Sequence, residues 1–174
     1  MSRYWRCLAA ALVCLCTLGT VSAQQYPSKP LRVLLPYPPG GSTDTFTRII
    51  TQKLSEALGQ PVVVDNRPGG NTIIGTDLAA KAPADGYTFI LVASTYAINP
   101  SLFKLPYDPN KDLIPIIQAG FSTLVLVVHP SQPPKTLKEF LAYAKANPGK
   151  LNYGTVGSGS ITHLASELFA DVAG

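Results

Sequence analysis

The short apolar run Leu31-Arg-Val-Leu-Leu35, flanked by Pro30 and Pro36 and followed at once by Tyr37-Pro-Pro-Gly-Gly-Ser-Thr-Asp44, limits what this chain can fold into more than any other stretch. Five residues rich in branched side chains suit a buried strand better than a helix. Phe46, Ile49, Ile50, Leu54 and Leu58 then recur at helical spacing up to Gly59, so the unit reads as strand, glycine turn, helix. The unit is repeated downstream. Pro61-Val-Val-Val64 reads as a second strand, Asp65-Asn-Arg-Pro-Gly-Gly-Asn71 as a turn and Ile73 to Ala82 as a helix. Asp85-Gly86 turns the chain into a third strand, Tyr87 to Val92, which runs into a polar loop, Ser94-Thr-Tyr96. Strands alternating with helices imply an α/β fold with a mostly parallel sheet.

The pattern changes after Tyr107-Asp-Pro-Asn-Lys-Asp112, which leads to Ile114-Pro-Ile-Ile117 and Thr123-Leu-Val-Leu-Val-Val128. A lobe boundary is expected near Gly120. Thr136 to Ala146 carries a capping-box signature, Thr136 with Glu139 three residues on, and Pro148-Gly149 ends that helix. Leu151-Asn-Tyr-Gly154 reads as a short strand, followed by the turn Thr155-Val-Gly-Ser-Gly-Ser160 and a helix carrying Ile161, Leu164, Ala165, Leu168 and Phe169. The expected organisation is a first α/β lobe over residues 24–120 and the start of a second over residues 121–174, the second lacking the strands that would complete its sheet. A truncated, N-terminal half of a longer chain is the expectation.

Arg3 and Arg6, the apolar stretch from Cys7 to Val21 and the site Val21-Ser22-Ala23 have the form of a secretory leader, residues 1–23, cleaved before Gln24. The stretch is short for a membrane span and is interrupted by Thr17, Gly19, Thr20 and Ser22. A lipid anchor on Cys14 or Cys16 is disfavoured because Val13 and Leu15 stand where a small residue is wanted. Export decides the cysteine chemistry: Cys7, Cys14 and Cys16 all leave with the leader, which excludes disulfides, a thiolate nucleophile and a cysteine zinc site. His129 and His163 are too few for a histidine metal centre. Loss of Arg3 and Arg6 leaves twelve Lys and Arg against ten Asp and Glu, a formal charge near +2. The basic residues are scattered, so no nucleic-acid surface is expected. Neither a metal nor a cofactor is implied.

A strand that runs through small residues into a helix leaves the first helical amides unpaired at the strand's end, where roughly half a positive charge from the helix dipole favours an anion. Pro38-Pro-Gly-Gly-Ser-Thr43 and Val156-Gly-Ser-Gly-Ser160 are both such turns, with hydroxyls at Ser42, Thr43, Ser158, Ser160 and Thr162. Two such turns facing one cleft would hold a small carboxylate with amides and hydroxyls alone. The structural alternative is that Ser42 and Ser160 only cap their helices. Neither turn has the lysine of a nucleotide loop or the frame of a nucleophile elbow. Ser160 and His163 lie on one helical turn and permit a secreted serine hydrolase, using Ser160 or Ser158, as the rival reading, although no orienting carboxylate is apparent. Asp44 reads as a partner of the helix dipole, and Arg67 as a turn residue that could reach an anion.

Tyr26-Pro-Ser-Lys-Pro30, Leu34-Leu-Pro-Tyr-Pro-Pro-Gly-Gly-Ser-Thr-Asp44, Gln60-Pro-Val-Val-Val-Asp-Asn-Arg-Pro-Gly69 and Asp85-Gly-Tyr-Thr88 resemble segments of the substrate-binding proteins of tripartite tricarboxylate transporters, the Bug family. Ile98-Asn-Pro100, Leu105-Pro-Tyr-Asp-Pro109, Pro148-Gly-Lys-Leu-Asn-Tyr-Gly154 and Gly159-Ser-Ile-Thr-His-Leu164 continue the likeness across the mature chain. The resemblance implies a type II periplasmic-binding-protein-like fold, in which two parallel-sheet lobes close over a small carboxylate and hand it to membrane transporter subunits. It implies a monomer in the periplasm and no enzymatic activity. Carried over segment by segment, the ligand contacts would be Tyr37, Gly40, Gly41, Ser42, Thr43, Ser94 and Thr95 from the first lobe, and Gly157, Ser158, Gly159, Ser160 and His163 from the second. A non-binding fragment, or a module docking on a sensor-kinase ectodomain, is the interaction-class alternative.

Overall fold

The computed structural model describes residues 26–173. The expected leader and its cleavage point lie outside the described residues. Three strands, β1 (Leu31–Leu35), β2 (Val62–Asn66) and β3 (Thr88–Ile90), alternate with α1 (Ser42–Leu58), α2 (Ile73–Ala80) and α3 (Thr95–Leu102). Further along lie α4 (Leu137–Ala146) and α5 (Ile161–Ala173). The strands form one parallel sheet in the order β2-β1-β3, with Val33 opposite both Val64 and Phe89. Hydrogen bonds from Arg32 N–H to Tyr87 C=O (2.8 Å) and from Leu91 N–H to Leu34 C=O (3.1 Å) extend the β1–β3 ladder beyond the three residues of β3.

The central strand carries the core, as the alternation predicts for a parallel sheet covered on both faces. Leu31, Leu34 and Leu35 are at most 1% exposed, and Val33 is buried with them. Gly75 lets α2 lie against the end of β1: a Cβ there would come within 2.6 Å of the Arg67 carbonyl and 2.8 Å of Pro36 Cβ. Gly59, at φ +65°, closes α1 by donating its amide to Ser55 C=O at 3.0 Å.

The spacing of apolar residues locates α1 but not the face it buries. Asp44, Thr47 and Thr51 are buried, whereas Phe46 and Ile49 are exposed. Burial of this polar face is tolerated because its hydroxyls are satisfied within the helix: Thr47 donates to Thr43 C=O (2.7 Å), Thr51 to Arg48 C=O (3.2 Å) and Ser55 to Thr51 C=O (2.9 Å). Ser55 Oγ also accepts from Val62 N–H at 2.9 Å, which ties the end of α1 to the start of β2.

Two expectations are corrected. Ser94 to Tyr96, expected as a polar loop, is the start of α3, because Ala97 and Ile98 both donate to Ser94 C=O. Pro100 inside α3 concealed it: proline lacks the donor a helix interior uses, and α3 ends two residues later. The short strand expected at Leu151 to Gly154 is not a strand, and the apolar runs Ile114 to Ile117 and Thr123 to Val128 form none either. A strand exists only through a neighbour's backbone, and among the described residues no backbone hydrogen bond is made by residues 114–128. Ile114, Ile117, Phe121 and Val127 are accordingly more than 80% exposed. Residues 121–173 thus contain helices but no sheet. The Thr136 half of the capping box at α4 forms, Thr136 Oγ1 accepting from Glu139 N–H at 3.2 Å, while the Glu139 carboxylate reaches one residue further back and accepts from Lys135 N–H at 2.7 Å. Among the described residues, no helix is long and apolar enough to cross a membrane.

Candidate functional site

Strand order 2-1-3 means that the chain leaves β1 to one side for β2 and returns to the other side for β3. The switch point of the sheet falls at the carboxyl ends of β1 and β3, where α/β sheets accommodate ligands. Tyr37, two residues past β1, spans it: its hydroxyl accepts from Ala93 N–H at 2.9 Å and lies 2.9 Å from Thr95 Oγ1. The turn after β1 and the start of α3 are therefore held together as one wall.

Beside this wall stands the N-terminus of α1. Gly41 occupies the capping position with φ −76° and ψ 171°, and no side chain caps the helix. The first helical hydrogen bond runs from Thr45 N–H to Gly41 C=O at 3.0 Å, so the amides of Ser42, Thr43 and Asp44 precede it. Gly40, Gly41 and Ser42 are exposed, and Thr43 is half-buried. These are donors without side-chain competition, in the direction of the helix dipole. Gly40 has a different task. At φ +84° it makes the turn, and its own amide donates to Asp44 Oδ2 at 3.0 Å.

Asp44 is the buried support of this turn. Besides Gly40 it accepts from Arg48 Nε at 2.9 Å and from Asn66 Nδ2 at 2.9 Å, and Asn66 also donates to Tyr37 C=O at 3.1 Å. The Arg48 guanidinium, then the Gly40 amide and Asn66, hold its carboxyl well below the usual carboxylate range. Asp44 raises the pKa of Arg48 in turn, first by the same hydrogen bond. A carboxylate under an anion site would repel the anion. Here it points inward and is neutralised by Arg48, so the open amides above it keep their polarity.

The second turn is built differently. Gly157 (φ +126°) and Gly159 (φ +77°) shape it, and Ser160, 4% exposed, caps α5 by accepting from His163 N–H at 3.2 Å. Ser160 N–H donates to Gly157 C=O, Gly157 N–H to Thr155 Oγ1, and Gly159 N–H to His163 Nδ1 at 3.4 Å. The turn therefore satisfies most of its own donors, and Ser158 alone of the candidates here combines an exposed position with no hydrogen bond among the described residues. His163 Nε2 lies 3.9 Å from Glu167, whose carboxylate also accepts from Tyr153. Glu167 was not apparent from the sequence as a partner of His163. His163 Nδ1 accepts from Gly159 N–H, and among the described residues no hydrogen bond joins the imidazole to the Ser160 hydroxyl.

The structure thus brings Tyr37, Gly40, Gly41, Ser42, Thr43 and Thr95 to this switch point, with Ser94 exposed beside Thr95. Gly157 to His163 form a separate cluster, which meets the rest of the molecule where Gly159 lies against Asn71 and Leu102. Two broader surface depressions, one around Pro100, Tyr107 and Asp112 and one around Leu126, Pro134 and Phe140, contain none of these residues. Arg67 is engaged by Asp65 at 2.9 Å, and His129 by Ser131 at 2.7 Å. The described residues contain no group of three or more His, Cys, Asp or Glu side chains placed to hold a metal. Arg48, Asn66, Asn71 and Asn99 were not singled out from the sequence. Asn71 had a signal, following Gly69-Gly70 where left-handed backbone is common; Asn99 had only its place in a segment that carries the family resemblance.

Residues 46–174 match the family described as tripartite tricarboxylate transporter family receptor. The chain belongs to that family. A relative among the receptors, the protein BugT of Bordetella pertussis (strain Tohama I), is 42% identical over 170 residues, which cover 94% of this chain and 52% of BugT. The solved periplasmic binding protein BugD superposes with a TM-score of 0.68 at 31% identity, over 85% of this chain and 50% of that one. Rpa4515 of R. palustris, solved with adipate, superposes with a TM-score of 0.67 at 32% identity, over 83% of this chain and 49% of its own. The fold is that of the periplasmic binding proteins. The chain spans about half the length of the receptors it matches.

Proposed function

We propose that this chain captures a small carboxylate in the periplasm and presents it to the membrane subunits of a tripartite tricarboxylate transporter. The observation that carries the reading is the uncapped N-terminus of α1, whose free amides stand beside the Tyr37–Thr95 wall at the switch point of the sheet. In this reading Gly41, Ser42 and Thr43 donate to the carboxylate, while Tyr37, Ser94 and Thr95 shape the site and add hydroxyls. Gly40 makes the turn. Gly157, Ser158, Gly159, Ser160 and His163 form the opposite side, with residues 24–120 and 121–174 as the two lobes. The adipate bound to Rpa4515 supports a dicarboxylate as the ligand. The leader-like first 23 residues and the periplasmic relatives support the compartment. The protein acts by binding and not by catalysis, as a monomer.

The test is calorimetric titration and thermal unfolding with adipate, succinate, malate and citrate. A ligand bound only by the native state raises stability by about 2.7 kcal/mol at one hundred times its dissociation constant. Gly41→Asp separates the site from the fold. Gly41 has an ordinary backbone, and a Cβ there meets nothing closer than the Pro38 carbonyl at 3.8 Å, so aspartate fits and caps α1. Its carboxylate then occupies the place of the ligand's. Loss of binding with an unchanged or raised unfolding midpoint supports the reading; undiminished binding by the variant sinks it.

A further inference from the structure

The loop between β2 and α2 is bent into left-handed backbone at two consecutive non-glycine residues, Asn71 (φ +51°) and Thr72 (φ +74°). For a β-branched residue this is strained, and it persists only where the surroundings impose it. Thr76 holds the Thr72 carbonyl through its amide and hydroxyl, and one long-range side chain holds the rest. Asn99, fully buried in α3, accepts from Asn71 Nδ2 at 2.8 Å, donates to Asn71 C=O at 2.8 Å and reaches Thr72 Oγ1 at 3.3 Å. All of its side-chain hydrogen bonds thus go to the strained pair. Against the Asn71 side chain lies Gly159: a Cβ built there would sit 3.3 Å from Asn71 Nδ2, 2.9 Å from Leu102 Cδ1 and 3.6 Å from Phe103 Cε2.

We propose that Asn71, Leu102 and Phe103 form a docking seat for the 157–160 turn, that Gly159 is the residue that enters it, and that Asn99 is the positioning residue that holds the seat in shape. The two glycines of the turn then differ in kind. Gly157 is needed only for its backbone, because a Cβ there meets nothing within 4 Å. Gly159 is needed for its backbone and for the absence of a side chain. The burial of Gly159 and Ser160, in a turn whose neighbours Gly157 and Ser158 are exposed, marks the same point of contact. The seat couples two segments far apart in sequence, and it fixes where the Ser160 cap and His163 stand relative to the sheet whether or not any ligand binds.

Hydrogen exchange followed by mass spectrometry on the whole chain, without ligand, tests this apart from the carboxylate reading. Leu102 is half exposed and can swing away from a single methyl, so leucine is the better probe. Gly159→Leu should accelerate exchange roughly tenfold both in residues 157–164 and in residues 69–72 and 99–103. Gly157→Leu, which meets the more demanding φ, should disturb only its own turn. Leu102→Ala added to Gly159→Leu should restore part of the protection. Asn99→Ala should deprotect residues 157–164, and Asn71→Ala should do so more mildly if the Asn99 variant does not fold. Indistinguishable exchange of residues 69–72 and 99–103 in the two leucine variants, or absence of any rescue by Leu102→Ala, would overturn the proposal.

Discussion

Two glycine turns that look alike as strings of residues have opposite polar states in the folded chain. In Pro38-Pro-Gly-Gly-Ser-Thr43 the capping position falls on Gly41, which has no side chain, and α1 begins with open amides. In Val156-Gly-Ser-Gly-Ser160 the last serine sits immediately before α5 and closes its first turn by accepting from His163 N–H. A shift of one residue between the serine and the start of the helix decides whether the turn leaves its amides open or closes them with a cap. The supports differ as well. The first turn follows a strand paired on both sides and buried at Leu34 and Leu35, and it is braced by Asp44. The second follows residues 151–154, which are not a strand, and is braced by its contact at Gly159.

The largest expected effect tests the difference in support. Leu34→Ala empties the centre of the sheet and should destabilise the fold by about 2–5 kcal/mol in urea unfolding, whereas Leu168→Ala on the exposed face of α5 should stay within about 0.5 kcal/mol. Equal effects would mean that the two regions unfold as one unit. The next effect depends on pH. Asp44 has a folded pKa below its ordinary value of 3.8, mainly through Arg48, so its contribution is fully present above that value and is lost as the pH falls through the folded pKa. Asp44→Asn should lower the unfolding midpoint at neutral pH and flatten its decline on acidification relative to the parent chain. A parallel decline in both would remove Asp44 as the brace.

Smaller effects address the caps themselves. Ser160→Ala should cost about 0.5–2 kcal/mol, read as faster exchange at the start of α5, because it removes the acceptor for His163 N–H. Gly41→Ser should make the first turn resemble the second. It should add only about a few tenths of a kcal/mol to stability, yet weaken carboxylate binding, because the new hydroxyl competes for the same amides. Tighter binding by this variant would show that the ligand uses the hydroxyl and not the amides.

The same contrast explains what could be read from the chain in advance. Every expected helix is found, and Thr136 caps its helix through Glu139 N–H, because helical hydrogen bonds close within a few residues. The strands were legible only where a partner exists. Leu31 to Leu35 and Thr123 to Val128 are equally apolar, but only the first has neighbours on both sides. The second leaves Val125 and Val127 in solvent. The buried face of α1 was not legible either: the apolar spacing points to Phe46 and Ile49, and the fold buries Asp44, Thr47 and Thr51 instead.

From its sequence alone the chain determines its family, the alternation of strand and helix and the two glycine turns with their hydroxyl side chains. These depend on residue type, on order and on contacts within one turn of backbone. Only the tertiary structure decides that Asp44 meets Asn66, that Asn99 holds Asn71 and Thr72 in left-handed backbone, and that Gly159 rests on Asn71 and Leu102. Each of these joins groups that the chain brings together by folding, and a hydrogen bond or a close contact reports where its partner is, which residue type does not encode.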